Sequence, residues 1–590
     1  MSSPISSLFM ASWESTWGVR IRFFSFIFLF VIAYTLDLLV PWALGYSLGV
    51  IASQGVNEES LRLASWGVIA HMALRFLHTV FHHIARYIQT TVAYTARMYT
   101  LNKVFSSLLA FPLNWHIEQH SGENLSKLHR SAGAIDNCIG TYVWQIIDGL
   151  VKVVFASIAI FALDFWVALN VMGMGLVTVL VMILFNKRLT SRYRKNNLFH
   201  NKISRICIDY LFNVVTVKTL GLEKAARQYL QDQKEDGLKI AKKISKYNEL
   251  KWGTTSLGYC LVTGTSLLIY INGQEGLHQP FDIAKIYVLI NYLDKIFQAI
   301  GSFTAYYGGI IEAATAYEDG DAIIARADSL PKNRERKDIP SNWEKIRISE
   351  LTFSYKDSDT SRLRNMSLEI AKRDKIALVG PSGGGKSTLL KVISGLLIPE
   401  KVKISIDDKP YSTADLGAKT ILVPQEPEIF SETLKYNITM GDPFGEYEIE
   451  DIIKITSLEN VLYKLQGGIE SDLAEKGLNL SVGEKQRVAM ARGLLRAGQR
   501  EIILLDEPTS SLDPKTEKEI FHSLLELYKE RVIITACHRL NLVPLFDKII
   551  FIRDGAVEES GSFSELMRKA GSFSRAWEDY IKKIHKENAQ

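Results

Sequence analysis

Six apolar runs crowd the first half of the chain, at about 23–51, 62–88, 138–163, 165–185, 253–272 and 283–310. Each is close to the ~20 residues a helix needs to cross a bilayer. That feature restricts the fold more than any other, because it makes the first half a bundle of membrane helices. Asp164 alone separates the third run from the fourth, which predicts a tight outer hairpin. The connections after the second and fourth runs are long, polar and helix-favouring, so those helices are expected to continue well beyond the bilayer. After about residue 340 no run is as long. Short apolar bursts (IALVG, ILVPQ, IILLDEP, VIITACH) alternate there with helical stretches, the pattern of a mostly parallel sheet covered by helices.

The reading is therefore multi-domain: an all-α six-helix transmembrane domain over 1–327, a linker over 328–342 and an α/β domain over 343–590. DSLPKNRERKDIPSN supplies the linker with two prolines and a charge run. The net charge of +5 is small for 590 residues, and no nucleic-acid partner is expected. Its placement is more informative. Asn186 to Lys251 is dense in Lys and Arg, whereas Gln54–Ser60 and Asn272–Pro280 have none. Short basic loops stay cytoplasmic, which puts the second half in the cytoplasm of a multi-pass protein of the cell (inner) membrane. The four cysteines, Cys138, Cys207, Cys260 and Cys537, form no CxxC pair, so neither a disulfide framework nor a zinc knuckle is indicated. The N-terminal stretch lacks a basic start and a small-residue cleavage site and reads as an interfacial lead-in.

GPSGGGKST follows the strand IALV and precedes LLKVISGLL, so G-x-x-x-x-G-K-[ST] from Gly380 to Ser387 stands between a strand and a helix. Glycines there let backbone N–H groups close on phosphate oxygens, aided by the helix N-terminus. Lys386 suits the β- and γ-phosphates of ATP and Ser387 a Mg²⁺ ion. IILLDEP delivers Asp506 at a strand end to the Mg²⁺ shell, and Glu507 beside it can polarise a water. The second half is thus read as a P-loop nucleotide-binding domain.

LSVGEKQRVAMAR, Leu480 to Arg492, resembles the signature of ATP-binding cassette (ABC) proteins, and other family marks surround it in family order. The resemblance implies a role for each matched residue. Tyr355 in LTFSY stacks on adenine, and Gly380, Ser382, Gly383, Gly384, Gly385, Lys386, Ser387 and Thr388 hold phosphates. Gln425 in VPQEP contacts Mg²⁺ and the attacking water, and Asp513 closes the D-loop SSLD. His538 in ITACHRL touches the γ-phosphate, and Glu507 is the general base. Six spans ahead of one cassette resemble a type IV (type I exporter) half-transporter, and HSGENLSKL (His120–Leu128) and VVTVKTLGLEKA (Val214–Ala225) resemble its cytoplasmic loops. In that family one ATP sits between the phosphate loop of one cassette and the signature of another. A single-cassette chain therefore needs a second half-transporter, a homodimer being favoured over a heterodimer. One departure stands out: LSVGE replaces the usual LSGGQ. Ser481 and Gly483 keep the groups that meet the opposed γ-phosphate. Val482 brings a β-branched residue that disfavours unusual backbone angles, and Glu484 brings a carboxylate. A working, slower site is the expectation.

HMALRFLHTVFHHIARYIQ, residues 71 to 89, is polar in an apolar setting. At ~100° per residue, His71, Arg75, His78, His82, Arg86 and Gln89 fall within an arc of about 80°. Ionisable groups in a membrane helix face a bundle interior or a watery cavity. Two readings stand side by side: a basic cavity wall that attracts an anionic headgroup, or internal pairing of Arg75 and Arg86 with Asp37, Asp148 or Asp294. A third has His78 and His82 at i,i+4 chelating a metal. Asn291, Asp294 and Gln298 form a second polar stripe. The function expected is ATP-driven export or flipping of an amphipathic, anionic molecule such as a membrane lipid or lipid-linked molecule. Peptide or drug export, import of metal chelates, and an ATP-gated channel or regulatory subunit are the alternatives.

Overall fold

The computed structural model describes residues 4–119, 121–275, 282–330, 337–355, 361–474 and 477–587. The chain divides into two compact units, 1–111 with 115–332 and 112–114 with 333–590. Part of the expected linker (331–336), His120, and residues 276–281 of the outer connection lie outside the described residues.

The first unit is helical. A short α1 (Pro4–Ser15) precedes α2 (Arg20–Gln54) and α3 (Glu58–Leu109). A capping box starts α3: the Asn57 side chain accepts the Ser60 N–H at 2.8 Å and Ser60 Oγ accepts the Asn57 N–H at 3.0 Å. Next come α4 (Leu113–Glu118), α5 (Ser121–Asn137), one π-helical turn (Cys138–Tyr142) and α6 (Val143–Leu163). Asp164 ends α6 and caps α7 (Phe165–Phe212) by accepting the Val167 N–H at 2.9 Å, which makes the tight hairpin expected there. Then α8 (Val214–Thr219), α9 (Glu223–Asp232), α10 (Lys234–Glu275) and α11 (Ile283–Asp328) complete the unit.

All six apolar runs lie inside long helices, and α3, α7 and α10 continue far past them. The six helices that carry these runs are not equally apolar. Among the described residues four, Trp17–Gln54, Gly122–Leu163, Phe165–Phe212 and Glu223–Gly273, are long and apolar enough to cross a membrane. α3 and α11 fall short because they carry the histidines, arginines and carboxylates of the two polar stripes. The core joins Phe26 and Phe30 of α2, Val92 and Ala96 of α3, Ile160 of α6 and Leu293 of α11. α2 and α3 cross closely: a Cβ on Gly67 would fall 2.1 Å from Ser47 Oγ, so a small residue is required there.

The second unit begins with β1 (Lys345–Phe353), β2 (Leu363–Ala371) and β3 (Lys375–Val379), followed by α12 (Lys386–Ile393). Then come β4 (Lys401–Ile406), β5 (Lys409–Tyr411), α13 (Thr413–Ala418), β6 (Thr420–Val423), α14 (Leu434–Thr439), α15 (Glu446–Ile455) and α16 (Glu459–Lys464). The chain continues through α17 (Val482–Ala497), β7 (Ile502–Asp506), α18 (Pro514–Leu527) and β8 (Val532–Ala536). It ends with β9 (Lys548–Arg553), β10 (Ala556–Gly561), α19 (Phe563–Lys569) and α20 (Ser572–Glu587). The six-stranded sheet has the order β10-β9-β3-β8-β7-β6, parallel throughout except for β10. β3, β7 and β8 are buried along their whole length, which is why they read as unbroken apolar bursts. A second, antiparallel sheet, β2-β1-β4-β5, was not legible in the apolar pattern. The architecture is an all-α unit followed by an α/β unit, as the sequence predicts.

Candidate nucleotide site and membrane cavity

β3 ends at Val379 and the chain turns through Gly380 at φ +150°, where a Cβ would sit 1.9 Å from the Ile552 carbonyl oxygen. Gly385, at φ +107°, is the N-cap of α12. These two positions need glycine, and they aim the first N–H groups of α12 into a cavity of about 340 Å³. Arg362, Ser382, Gly383, Gly384, Gly385, Lys386, Ser387, Thr388, Gln425, Glu507 and His538 line it. Lys386 is buried, and its Nζ donates to the carbonyls of Gly380 (2.9 Å) and Pro381 (3.1 Å). Burial lowers its pKa, so the ammonium is short of solvation and suited to a phosphate. Ser387 Oγ donates to Asp506 Oδ1 at 2.8 Å, and burial raises the Asp506 carboxyl above the ordinary aspartate value. Gln425 Nε2 donates to Glu507 Oε2 at 3.0 Å. Glu507 holds a left-handed φ of +47°, a strained backbone of the kind found at working sites.

Residues as far apart in sequence as Arg362 and His538 thus converge, but not all the expected ones join. The Tyr355 hydroxyl lies 3.5 Å from Thr388 Oγ1 beside the cavity and not on its wall. Ser481, Gly483 and Glu484 begin α17 and do not line the cavity either, and Asp513 is the N-cap of α18. Val482 is the first residue of α17 and has no left-handed φ, so a β-branched side chain is accommodated there. Gln486 ties the signature helix to the D-loop: its Nε2 donates to Ser510 Oγ at 2.9 Å and its Oε1 accepts the Ser511 N–H at 3.1 Å. Arg539, next to His538, donates to the Leu512 carbonyl at 2.7 Å and to Glu517 at 3.3 Å.

In the helical unit, His71, Arg75, His78 and His82 line a cavity of about 460 Å³ together with Asn291, Asp294 and Gln298. The two stripes therefore face one space. Arg86 is a correction: it does not reach this cavity. Its Nη1 donates to the Gly140 carbonyl at 2.7 Å and to Gln89 Oε1 at 2.7 Å, and Gln89 Nε2 donates to the Ile139 carbonyl at 2.6 Å. The π turn withdraws those carbonyls from regular helix pairing, and the inner end of the stripe is consumed in satisfying them. Nor is the wall simply basic. Arg75 pairs with Asp37 at 2.9 Å, Lys295 pairs with the same carboxylate, Lys152 pairs with Asp148 at 2.9 Å, and Asp294 accepts from the Tyr259 hydroxyl. His78 Nδ1 is 3.0 Å from the Ala33 carbonyl oxygen. Among the described residues no group of three or more His, Cys, Asp or Glu could hold a metal ion, which leaves the His78–His82 pair short of ligands.

A model of the ABC transporter nucleotide-binding region matches residues 363–510, and one of the ABC transporter transmembrane region matches 23–274. The chain belongs to the ABC transporters. This ABC transporter is 26% identical to an ATM1-type heavy metal exporter of Novosphingobium aromaticivorans, over 95% of the chain and 92% of that relative. It is 28% identical to heavy metal tolerance factor 1 of Caenorhabditis elegans and 29% identical to ATP-binding cassette sub-family B member 6 of mouse. It spans only 63% and 56% of the lengths of those two. The solved structure of a bacterial Atm1-family ABC exporter with ATP bound shares the fold, with TM-score 0.84, 24% identity and 95% of the chain covered against 98% of that structure. The nucleotide cavity of this transporter includes one residue that sequence reading missed, Arg362, since nothing in its local pattern marks it. Gln486 and Arg539 were missed too, because their partners lie 22 to 27 residues away. Lys152 and Lys295 were visible as charges in apolar runs, and only their partners give them meaning.

Proposed function

We propose that this ABC transporter is half of an ATP-driven exporter or flippase in the cell membrane, acting as a homodimer with its nucleotide-binding domain cytoplasmic. The observation that carries the reading is the convergence of Lys386, Ser387, Gln425, Glu507 and His538 on one cavity, with Asp506 bonded to Ser387 behind its wall. Lys386 and the loop N–H groups hold the phosphates, and Tyr355 stacks on the adenine. Glu507 takes the proton of a water whose oxygen bonds to the γ-phosphorus, while the β–γ bridging P–O bond breaks and ADP leaves with its electron pair. Gln425 orients Glu507 and that water, and His538 meets the γ-phosphate. The oxygens of Asp506 and Ser387, with Gln425, are a hard donor set that fits Mg²⁺, which when bound would neutralise phosphate charge. Ser481 and Gly483 serve the nucleotide of the opposed cassette. Their separation from the cavity of their own chain supports that assignment.

The substrate in this reading is amphipathic and carries an anionic group. Two cations, Arg75 and Lys295, share one carboxylate, Asp37, although Asp148 and Asp294 balance the formal charge of the lining as a whole. The Arg75 side chain is 55% exposed against 9% for Asp37, so the guanidinium can also face a guest. A metal-bearing cargo is the second reading, supported by the names of two relatives.

The test is the ATPase rate of the full chain in lipid nanodiscs against anionic, neutral and cationic amphiphiles and metal chelates, with Glu507→Gln as the blank. Arg75→Ala leaves Asp37 paired to Lys295 and is expected to fold. Selective stimulation by anionic amphiphiles, lost in Arg75→Ala, supports the reading. Stimulation blind to charge refutes the anionic substrate, and hydrolysis no faster than Glu507→Gln refutes the transporter.

A further inference from the structure

The carboxylate of Glu484 stands where a triphosphate is expected to arrive. It is the third residue of α17, and its Oε2 accepts the Ser481 N–H at 2.6 Å while Ser481 Oγ accepts the Glu484 N–H at 3.3 Å. This capping box fixes a negative charge against the two residues, Ser481 and Gly483, assigned above to the opposed γ-phosphate. Unopposed, that charge repels the nucleotide, and the side chain is only 14% exposed, so water screens it weakly.

One cation lies on it. Lys464 ends α16, and its Nζ donates to both carboxylate oxygens, at 3.2 and 3.3 Å. The lysine side chain is 55% exposed, so it reaches in from solvent and sets its head over the carboxylate. Burial works against the Glu484 charge, but the Ser481 N–H and the Lys464 ammonium outweigh it and hold the carboxyl below the usual glutamate range. The charge is therefore present at neutral pH; Lys464, twenty residues upstream, bonds it directly, and the Arg487 guanidinium acts on it through space from the next turn of α17.

We infer that Lys464 is a positioning residue for ATP turnover, the counter-ion that makes a carboxylate-bearing signature compatible with the γ-phosphate of the opposed nucleotide. A neutral glutamine at 484 would need no such partner. The lysine and the glutamate thus form one unit, and the slower site expected from LSVGE is corrected within the same chain by α16. The inference rests on the ATP-driven reading above and adds a residue that the family resemblance does not mark.

Steady-state hydrolysis by the full chain in nanodiscs tests it through a double-mutant cycle. Lys464→Met is expected to raise KM for ATP about tenfold with kcat within about twofold, and the rise should be largest at low salt. Lys464→Arg keeps the wild-type KM. In a Glu484→Gln background Lys464→Met changes nothing further. The inference is overturned if Lys464→Met leaves KM unchanged, lowers kcat alone, or has the same effect with Gln at 484, which would make Lys464 a structural residue of α16. Because Lys464 is half-exposed at a helix end, its loss leaves the core intact, and an unchanged melting temperature checks this. Normal wild-type hydrolysis with no Lys464 effect sinks this inference alone. Wild-type hydrolysis no faster than Glu507→Gln sinks the reading beneath it.

Discussion

At Gly380 the phosphate loop leaves β3 so close to the Ile552 carbonyl that no side chain fits. Gly380→Ala is therefore expected to destabilise the second unit by about 2–5 kcal/mol, by overpacking together with backbone strain; chemical denaturation measures it. Beside His538, burial pushes the Cys537 thiol up to about 12, so it should resist maleimide at pH 8 in the native protein and react fully once unfolded. Asp506 supplies a pH dependence. Burial raises its carboxyl, so the folded state holds that proton more tightly than the unfolded chain does. Its contribution to stability is thus present in acid and lost as pH rises through the raised value. A divalent cation needs the ionised form, so thermal stabilisation by Mg²⁺ and ATP should be greater at pH 7.5 than at pH 5. Most of these residues announce themselves in the sequence, since a phosphate loop is one continuous strand–turn–helix. Arg362 does not, because only the folded loop brings it to the cavity.

Among the elements, the π turn at Cys138–Tyr142 decides what the second membrane helix is for. Its carbonyls at Ile139 and Gly140 are held by Gln89 and Arg86, so two of the six residues in a stripe that looked like cavity lining are structural. Gln89 is fully buried, and Gln89→Leu leaves the Ile139 carbonyl without a donor in an apolar setting, which costs about 1–3 kcal/mol. A lower melting temperature in detergent, with the ATP affinity of the second unit unchanged, is the expected result. Periodicity placed these side chains on one face. It could not say that a neighbouring helix would unwind to meet them, since that depends on α5, α6 and α3 packing together. For the same reason hydropathy underrated α3 and α11: polar groups that pair inside a bundle count against a span when each helix is scored alone.

For the whole molecule, a cassette whose signature avoids its own phosphate loop predicts complementation between chains. Ser481→Ala and Glu507→Gln chains should each hydrolyse ATP poorly alone. Co-expressed, they form mixed dimers with one intact composite site, and hydrolysis should recover; phosphate release from the purified mixture measures it. By itself the sequence determined the order of the two domains, the phosphate loop, the Asp506–Glu507 strand end and the presence of a polar stripe, because each is written in consecutive residues or in a helical repeat. Tertiary structure alone decided that Arg75 and Lys295 share Asp37, that Arg86 serves a π turn, and that Lys464 covers Glu484. Those pairings join residues from different elements, and burial makes each charge depend on the partner that packing brings within reach.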